Sequence, residues 1–222
     1  MIFTLGALLT GLGMIGVIDA GLVSSAVLGG VTFLVLRSRP PSPTPGLDGV
    51  LRDRRAFGAL PQLLKEVSDL RVYGPSAVNV VVHAAEIRRT ILRRGGQARV
   101  VVQAPEPRQL AITARQLDES LDLPITLATT MSGLRRLADA PGFEWRLLDF
   151  NPGFSLLVVN ADTPEGFVIV EFHGFRDDSI ADRMHVRITR AESPHWFAYW
   201  CGRFDRIWET AIPEDGPTGS QP

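Results

Sequence analysis

The first 36 residues are almost continuously apolar, unlike the rest of the chain. They contain 23 Ala, Val, Ile, Leu, Met or Phe residues and one charge, Asp19, which divides them into segments at residues 2–18 and 21–36. A 17-residue helix spans about 25 Å, against a hydrocarbon core about 30 Å thick, so each segment is short for a membrane span. The pattern predicts a two-helix transmembrane hairpin over residues 1–36, with a single tilted span or a signal peptide as alternatives.

The residues after this stretch predict its orientation and a spacer. Several Arg residues follow residue 36, and the positive-inside rule places that end in the cytoplasm. Prolines recur through residues 37–50, which predicts a semi-rigid linker. All but one of the 23 cations are Arg, a bias typical of GC-rich bacterial genomes. We therefore expect a bacterial inner-membrane protein with a cytoplasmic soluble domain.

From residue 51 onward, strand-like and helix-like periods alternate. A strand at 70–73, a helix at 76–94 with Ser76 as its N-cap, and a buried strand at 98–103 predict a parallel strand pair with a helical crossover. The sequence predicts a soluble α/β domain at 51–212 and a disordered tail at 213–222. Its other main elements are helices at about 108–121 and 127–138, strands at 144–150, 154–160, 167–172 and 185–189, and a closing helix from Pro194.

Charge and cysteine content narrow the function classes. From residue 37 onward 23 acidic residues balance 23 basic ones, which gives no reason to expect strong non-specific attraction to nucleic acid. The single cysteine, Cys201, excludes an internal disulfide. The sequence has no cluster of ligand residues with metal-binding spacing, so we expect neither a metal nor another cofactor.

Two histidines and an arginine are the candidate catalytic residues. His173 follows a predicted strand, and His185 and Arg187 lie on one face of the next strand. Imidazole and guanidinium groups suit a phosphate. The alternative is that nearby acidic residues form ordinary ion pairs with them; these are Glu171, Asp177, Asp178 and Asp182.

The turn after the strand at 70–73 is the candidate binding site. It leads from the carboxyl end of a parallel strand into a helix, where open α/β sheets tend to bind ligands. The predicted ligand-binding residues are Tyr73, Gly74, Ser76, Asn79 and, further along the chain, Arg190.

A series of strand and helix ends runs from about residue 60 to residue 211. It comprises Leu-Arg-Val-Tyr-Gly at 70–74, Arg-Arg-Gly-Gly at 93–96, Ala-Arg-Val-Val-Val at 98–102, Phe-Glu-Trp-Arg-Leu at 143–147, His-Val-Arg-Ile at 185–188 and Phe-Asp-Arg-Ile-Trp at 204–208. In this order the series resembles one half of an enzyme of the phospholipase-D-like superfamily. The resemblance implies a mixed sheet flanked by helices.

The superfamily's catalytic motif is degenerate here. Its enzymes carry H-x-K-x(4)-D, in which the His attacks phosphorus and the Lys holds phosphate oxygens. At the matching positions this chain has Ser155 and Leu157, and only Asp162 agrees. Leu cannot neutralise a phosphate, and a Ser without a nearby base is a poor nucleophile near neutral pH. The resemblance therefore implies a non-catalytic copy.

These observations predict a membrane-tethered binding, sensory or interaction module that recognises a phosphate-bearing ligand. One alternative is a phosphodiesterase or phospholipase using His173, His185 and Arg187, and another is a membrane-disrupting effector gated by the soluble domain. Sites of the superfamily are usually assembled from two halves, so the resemblance implies a homodimer. The expected partners are the lipid bilayer at residues 2–36, a second copy, and a phosphorylated small molecule or a protein, with no nucleic acid.

Overall fold

The computed structural model describes residues 28–30, 46–117 and 122–214. By its contacts the chain divides into two compact units, residues 1–45 and 46–222. Apart from residues 28–30, the predicted hairpin lies outside the described residues, and so does most of the predicted tail. No helix in the described part of the chain is long and apolar enough to span a membrane.

The second unit is built on one mixed sheet of eight strands. The strands are β1 Leu51–Arg52, β2 Asp69–Tyr73, β3 Gln97–Gln103, β4 Phe143–Leu148, β5 Phe154–Val159, β6 Phe167–Phe172, β7 His185–Thr189 and β8 Ile212–Pro213. Their order across the sheet is β1-β7-β6-β5-β2-β3-β4-β8. The predicted parallel pair is present as β2 and β3, and β4 extends it, while the other neighbours are antiparallel.

Helices cover both faces of this sheet. They are α1 Leu47–Val50, α2 Leu60–Leu63, α3 Val78–Val81, α4 Ala84–Thr90, α5 Pro107–Gln116, α6 Leu123–Leu137 and α7 Pro194–Thr210. Successive residues of β3 point to opposite faces: Val100 joins the core with Leu134 of α6, whereas Val101 joins the core with Phe204 of α7. The domain therefore has the predicted architecture of a mixed sheet flanked by helices.

The prediction of one continuous helix over residues 76–94 is wrong. The structure has α3 and α4 there, separated at residues 82–83, and a 3-10 turn at Leu92–Arg94. The N-cap of α3 is Ala77 and not Ser76. Residues 78–82 include four valines, and β-branched side chains lose rotamer freedom in a helix. This run lowers the helix propensity of the segment.

Candidate functional site

A cavity of about 150 Å³ opens at the carboxyl end of β2. Its walls are mainly apolar, with Phe57, Leu63, Leu157, Ile169 and Ile180 among the side chains that line it. The polar side chains on its surface come from Arg54, Ser76, Asn79, Ser155, Glu171, Arg183 and His185. Apolar walls with a few polar groups are typical of a small-molecule site.

The turn after β2 forms one side of this cavity. The Gly74 N–H donates to the Val101 carbonyl at 3.2 Å, which fixes the turn against β3. A Cβ at Gly74 would lie 3.4 Å from Ser155 Oγ, so the turn passes close to that hydroxyl. Ala77 has a φ of 49°, a left-handed conformation that costs a non-glycine residue about 1 kcal/mol. Strained backbone of this kind clusters at ligand sites.

Ser155 lies beside a histidine. On β5 it pairs with Glu171 of β6, and His173 is its diagonal neighbour on the continuation of β6. The His173 N–H donates to the Gly153 carbonyl at 3.0 Å, which brings His173 Nε2 to 2.8 Å from Ser155 Oγ. The sequence-based statement that Ser155 has no nearby base is therefore wrong.

His173 is a buried, neutral base. Its side chain is only 3% exposed, and burial, assisted by the positive charge of Arg183, lowers its pKa to about 4. Glu171 acts in the opposite direction, with Oε1 at 3.8 Å from His173 Nε2. The other nitrogen, Nδ1, is buried without a hydrogen-bond partner in the described part of the chain. Near pH 7 the His173 ring is therefore neutral, and its low pKa makes it a weak base.

Glu171 is the centre of a buried charge cluster behind this pair. Its Oε2 lies 3.0 Å from His185 Nε2, and its Oε1 accepts a hydrogen bond from the Arg183 guanidinium. Burial raises the pKa of Glu171, but His185 and Arg183 outweigh that effect and lower the pKa to about 2. The Glu171 carboxylate is therefore ionised and places a fixed negative charge at the cavity.

His185 is held on three sides. Its Nδ1 lies 2.8 Å from the Arg183 carbonyl oxygen, and its ring centroid is 5.4 Å from that of Phe57. The side chain is 5% exposed. With Glu171 at Nε2, both ring nitrogens face oxygen acceptors, which gives His185 a positioning role in the cavity wall.

The candidate catalytic residues come together only in part. His173 and His185 both approach Glu171, whereas the Arg187 guanidinium lies over the Phe167 ring, 4.2 Å from its centroid. Arg187 does not line the cavity. The arginine at the cluster is Arg183, which is 4% exposed.

Four of the five candidate ligand-binding residues lie at the cavity. Tyr73, Gly74, Ser76 and Asn79 line the cavity. Arg190 does not line it, and its Nη1 donates to the Ala161 carbonyl oxygen at 3.1 Å.

Of the three positions of the degenerate motif, two line the cavity and one does not. Ser155 and Leu157 line the cavity, and Leu157 pairs with Val72 on β2 and Ile169 on β6. Asp162 lies outside the cavity, is 91% exposed and approaches Arg71 at 3.6 Å.

Sequence reasoning missed the arrangement around Glu171. Glu171 was expected only to form an ion pair, and Arg183 was not among the predicted site residues. A usable signal was the strand period: Glu171 lies on the same face as Ile169, two residues earlier, and is paired with His185 across β6 and β7. In residues 46–117 and 122–214 no group of three or more His, Cys, Asp or Glu residues is arranged to hold a metal ion.

Comparison with known proteins gives distant structural likenesses only. No family model matches this chain, and no curated protein matches it. Among the similar solved structures is TrmBL2, an archaeal chromatin protein described as having a novel mode of DNA binding, with a TM-score of 0.48 and 12% identity. The match covers 87% of this chain but only 64% of TrmBL2.

A second similar structure is Nuc from Salmonella typhimurium, a phospholipase D family member, with a TM-score of 0.40 and 12% identity. That match covers 72% of this chain and 89% of Nuc. Nuc belongs to the superfamily that the sequence resembles, and the likeness concerns the fold alone. Neither comparison supports a specific function.

The predicted partners need correction. No nucleic-acid partner was expected from the near-neutral charge, whereas a protein of similar structure, TrmBL2, is described as binding DNA. The comparisons also provide no evidence for the predicted bilayer, second copy, phosphorylated ligand or protein partner.

Proposed function

We propose that residues 46–214 form a binding module for a small, mainly apolar molecule that carries one hydrogen-bonding group. The observation that carries this proposal is the cavity at the carboxyl end of β2, with its apolar walls and few polar groups. A cavity of about 150 Å³ lined by apolar side chains accommodates a molecule the size of benzene.

The polar groups of the cavity define the head of the ligand. Glu171 is already paired with Arg183 and His185, so these three side chains largely satisfy one another's hydrogen bonds. Of the other four polar side chains on the cavity surface, Ser155, Ser76 and Asn79 are neutral and Arg54 is a cation. The three neutral groups recognise a hydroxyl or a carbonyl at low desolvation cost, which favours an uncharged head.

The proposal also agrees with the degenerate motif. Leu157 stands where the superfamily's enzymes carry a Lys, and here it forms part of an apolar wall between Val72 and Ile169. A site changed in this way suits an apolar ligand, which supports a binding module on a phospholipase-D-like scaffold.

Binding of p-cresol to the full-length chain tests this proposal, because p-cresol combines an apolar ring with one hydroxyl. A ligand at 100 times its Kd stabilises the folded state by about 2.7 kcal/mol, which raises the Tm by about 5 °C or more. We expect this shift, together with saturable heat in calorimetry. No shift with p-cresol, indole or hexanol would contradict the proposal.

The variant Leu157→Phe tests whether the ligand occupies this cavity. The larger side chain fills space at the cavity wall, so p-cresol affinity should fall at least about tenfold. The matched control is Ile125→Phe on α6, where the side chain is 66% exposed and outside the cavity. Equal affinities of the two variants would place the ligand elsewhere.

A further inference from the structure

We propose that Ser155 and His173 form a nucleophile–base pair that acts on carboxylic esters bound in the cavity. This inference rests on the proposed function, because the cavity would hold the apolar part of the ester. The observation that carries it is the distance of 2.8 Å between Ser155 Oγ and His173 Nε2. Ser155 also lines the cavity.

The position of Ser155 gives a substrate access to its hydroxyl. Ser155 is partly exposed on β5, while His173 behind it is buried and does not line the cavity. The nucleophile therefore faces the cavity, and the base lies behind it. Gly74 of the turn passes close to the hydroxyl and adds no side chain there.

The pairing of His173 is compatible with a base at Nε2. His173 has Ser155 at Nε2, but Nδ1 has no partner among residues 46–117 and 122–214. If Nε2 accepts the Ser155 proton, the ring carries its own proton on Nδ1.

The reaction would proceed in two steps, acylation of Ser155 and then hydrolysis of the acyl group. The Ser155 Oγ attacks the ester carbonyl carbon as its proton moves to His173 Nε2, and the alcohol leaves with that proton as the C–O bond breaks. Water then attacks the acyl group on Ser155 while His173 accepts a proton from it. The carboxylic acid is released, and the proton returns to Ser155 Oγ.

The pair lacks one component of a complete triad. Among the residues that the structure describes, no carboxylate binds His173 Nδ1. In serine proteases the loss of a functional acid lowers kcat about 10⁴-fold. We therefore expect slow turnover. Covalent labelling by a fluorophosphonate is the better assay, since Ser155 needs to react only once, with an Oγ–P bond replacing the P–F bond and the proton and fluoride leaving together.

The experiment uses the full-length chain and a fluorophosphonate probe with a short alkyl group. Intact mass should show one label per chain, and peptide mapping should place it on Ser155. The Ser155→Ala variant should not label, and His173→Gln, which keeps much of the side-chain volume, should label at least about 10²-fold more slowly. The control is Ser132→Ala, whose exposed hydroxyl donates to Ala128 O on α6; it should label like the wild type.

The outcomes separate this inference from the proposed function. Absence of labelling, labelling at another residue, or an unchanged rate in a folded His173→Gln variant would overturn the nucleophile–base pair. If p-cresol still binds in that case, the binding proposal stands alone. Labelling at Ser155 without p-cresol binding would support the pair and contradict the choice of ligand, and failure of both assays would overturn both.

Discussion

Glu171 shows how one residue connects the stability of the sheet to the site. It lies on β6 opposite His185 and pairs with Arg183, which precedes β7. Its pKa is lowered from an ordinary 4.5 to about 2, so its ionised form stabilises the folded state. This contribution is fully present above about pH 4.5 and is lost as the pH falls through 2.

The Glu171→Gln variant should therefore change how stability depends on pH. The difference in free energy of unfolding between wild type and variant should shrink by about 3 kcal/mol from pH 7 to pH 2. Urea denaturation at several pH values measures it. Glu165→Gln, at an exposed position in the β5–β6 turn, is the control and should follow the wild type. A constant difference between wild type and Glu171→Gln would contradict the assigned pKa.

Two helical glycines, Gly133 and Gly202, differ in how closely other atoms pack against them. In α6, a Cβ at Gly133 would lie 2.5 Å from Val81 Cγ1 of α3, so the two helices approach closely there. In α7, a Cβ at Gly202 would have nothing within 4 Å. The first glycine is required by packing, whereas the second only lowers helix propensity.

Alanine substitutions at these two positions should have opposite effects. Gly133→Ala should destabilise the domain by about 1–3 kcal/mol through overpacking, and Gly202→Ala should stabilise it by about 0.5–1 kcal/mol. Chemical denaturation measures both. The double variant Gly133→Ala with Val81→Ala should recover part of the loss, and a stabilising Gly133→Ala would contradict the close contact.

The strand elements were largely predictable because their apolar periods are local. β5, β6 and β7 lie within a residue or so of their predicted bounds. The two-residue strands β1 and β8 are too short to carry a period, and their pairing is set by distant segments. The contact between Ser155 and His173 depends on the register of two strands, and periodicity alone does not fix register.

At the scale of the whole molecule, the segment that precedes β2 completes the cavity. Arg54, Phe57 and Leu60 line it, and the edge strand β1 attaches this segment to β7 through Arg52 and His185. The core of the second unit lies mainly in later elements. Removal of this segment should therefore open the cavity without unfolding the rest of the second unit.

Truncation tests this expectation. A chain lacking residues 1–45 should melt within a few degrees of the full chain and bind p-cresol equally, because residues 46–222 form their own compact unit. A chain lacking residues 1–58 should keep its far-UV circular dichroism but lose p-cresol binding at least about tenfold. Unchanged binding after the longer deletion would contradict the role of residues 51–58.

The two-residue pairing of β1 with β7 also has a mechanical consequence. A pull on the chain from the N-terminal side of residue 46 reaches this short edge pairing before it reaches β2. Two pairs of residues resist such a load far less than the long central strands. Tension would therefore separate β1 from β7 and open the cavity wall while the other strands of the sheet stayed paired. A bound molecule would resist this separation, and tension would weaken its binding.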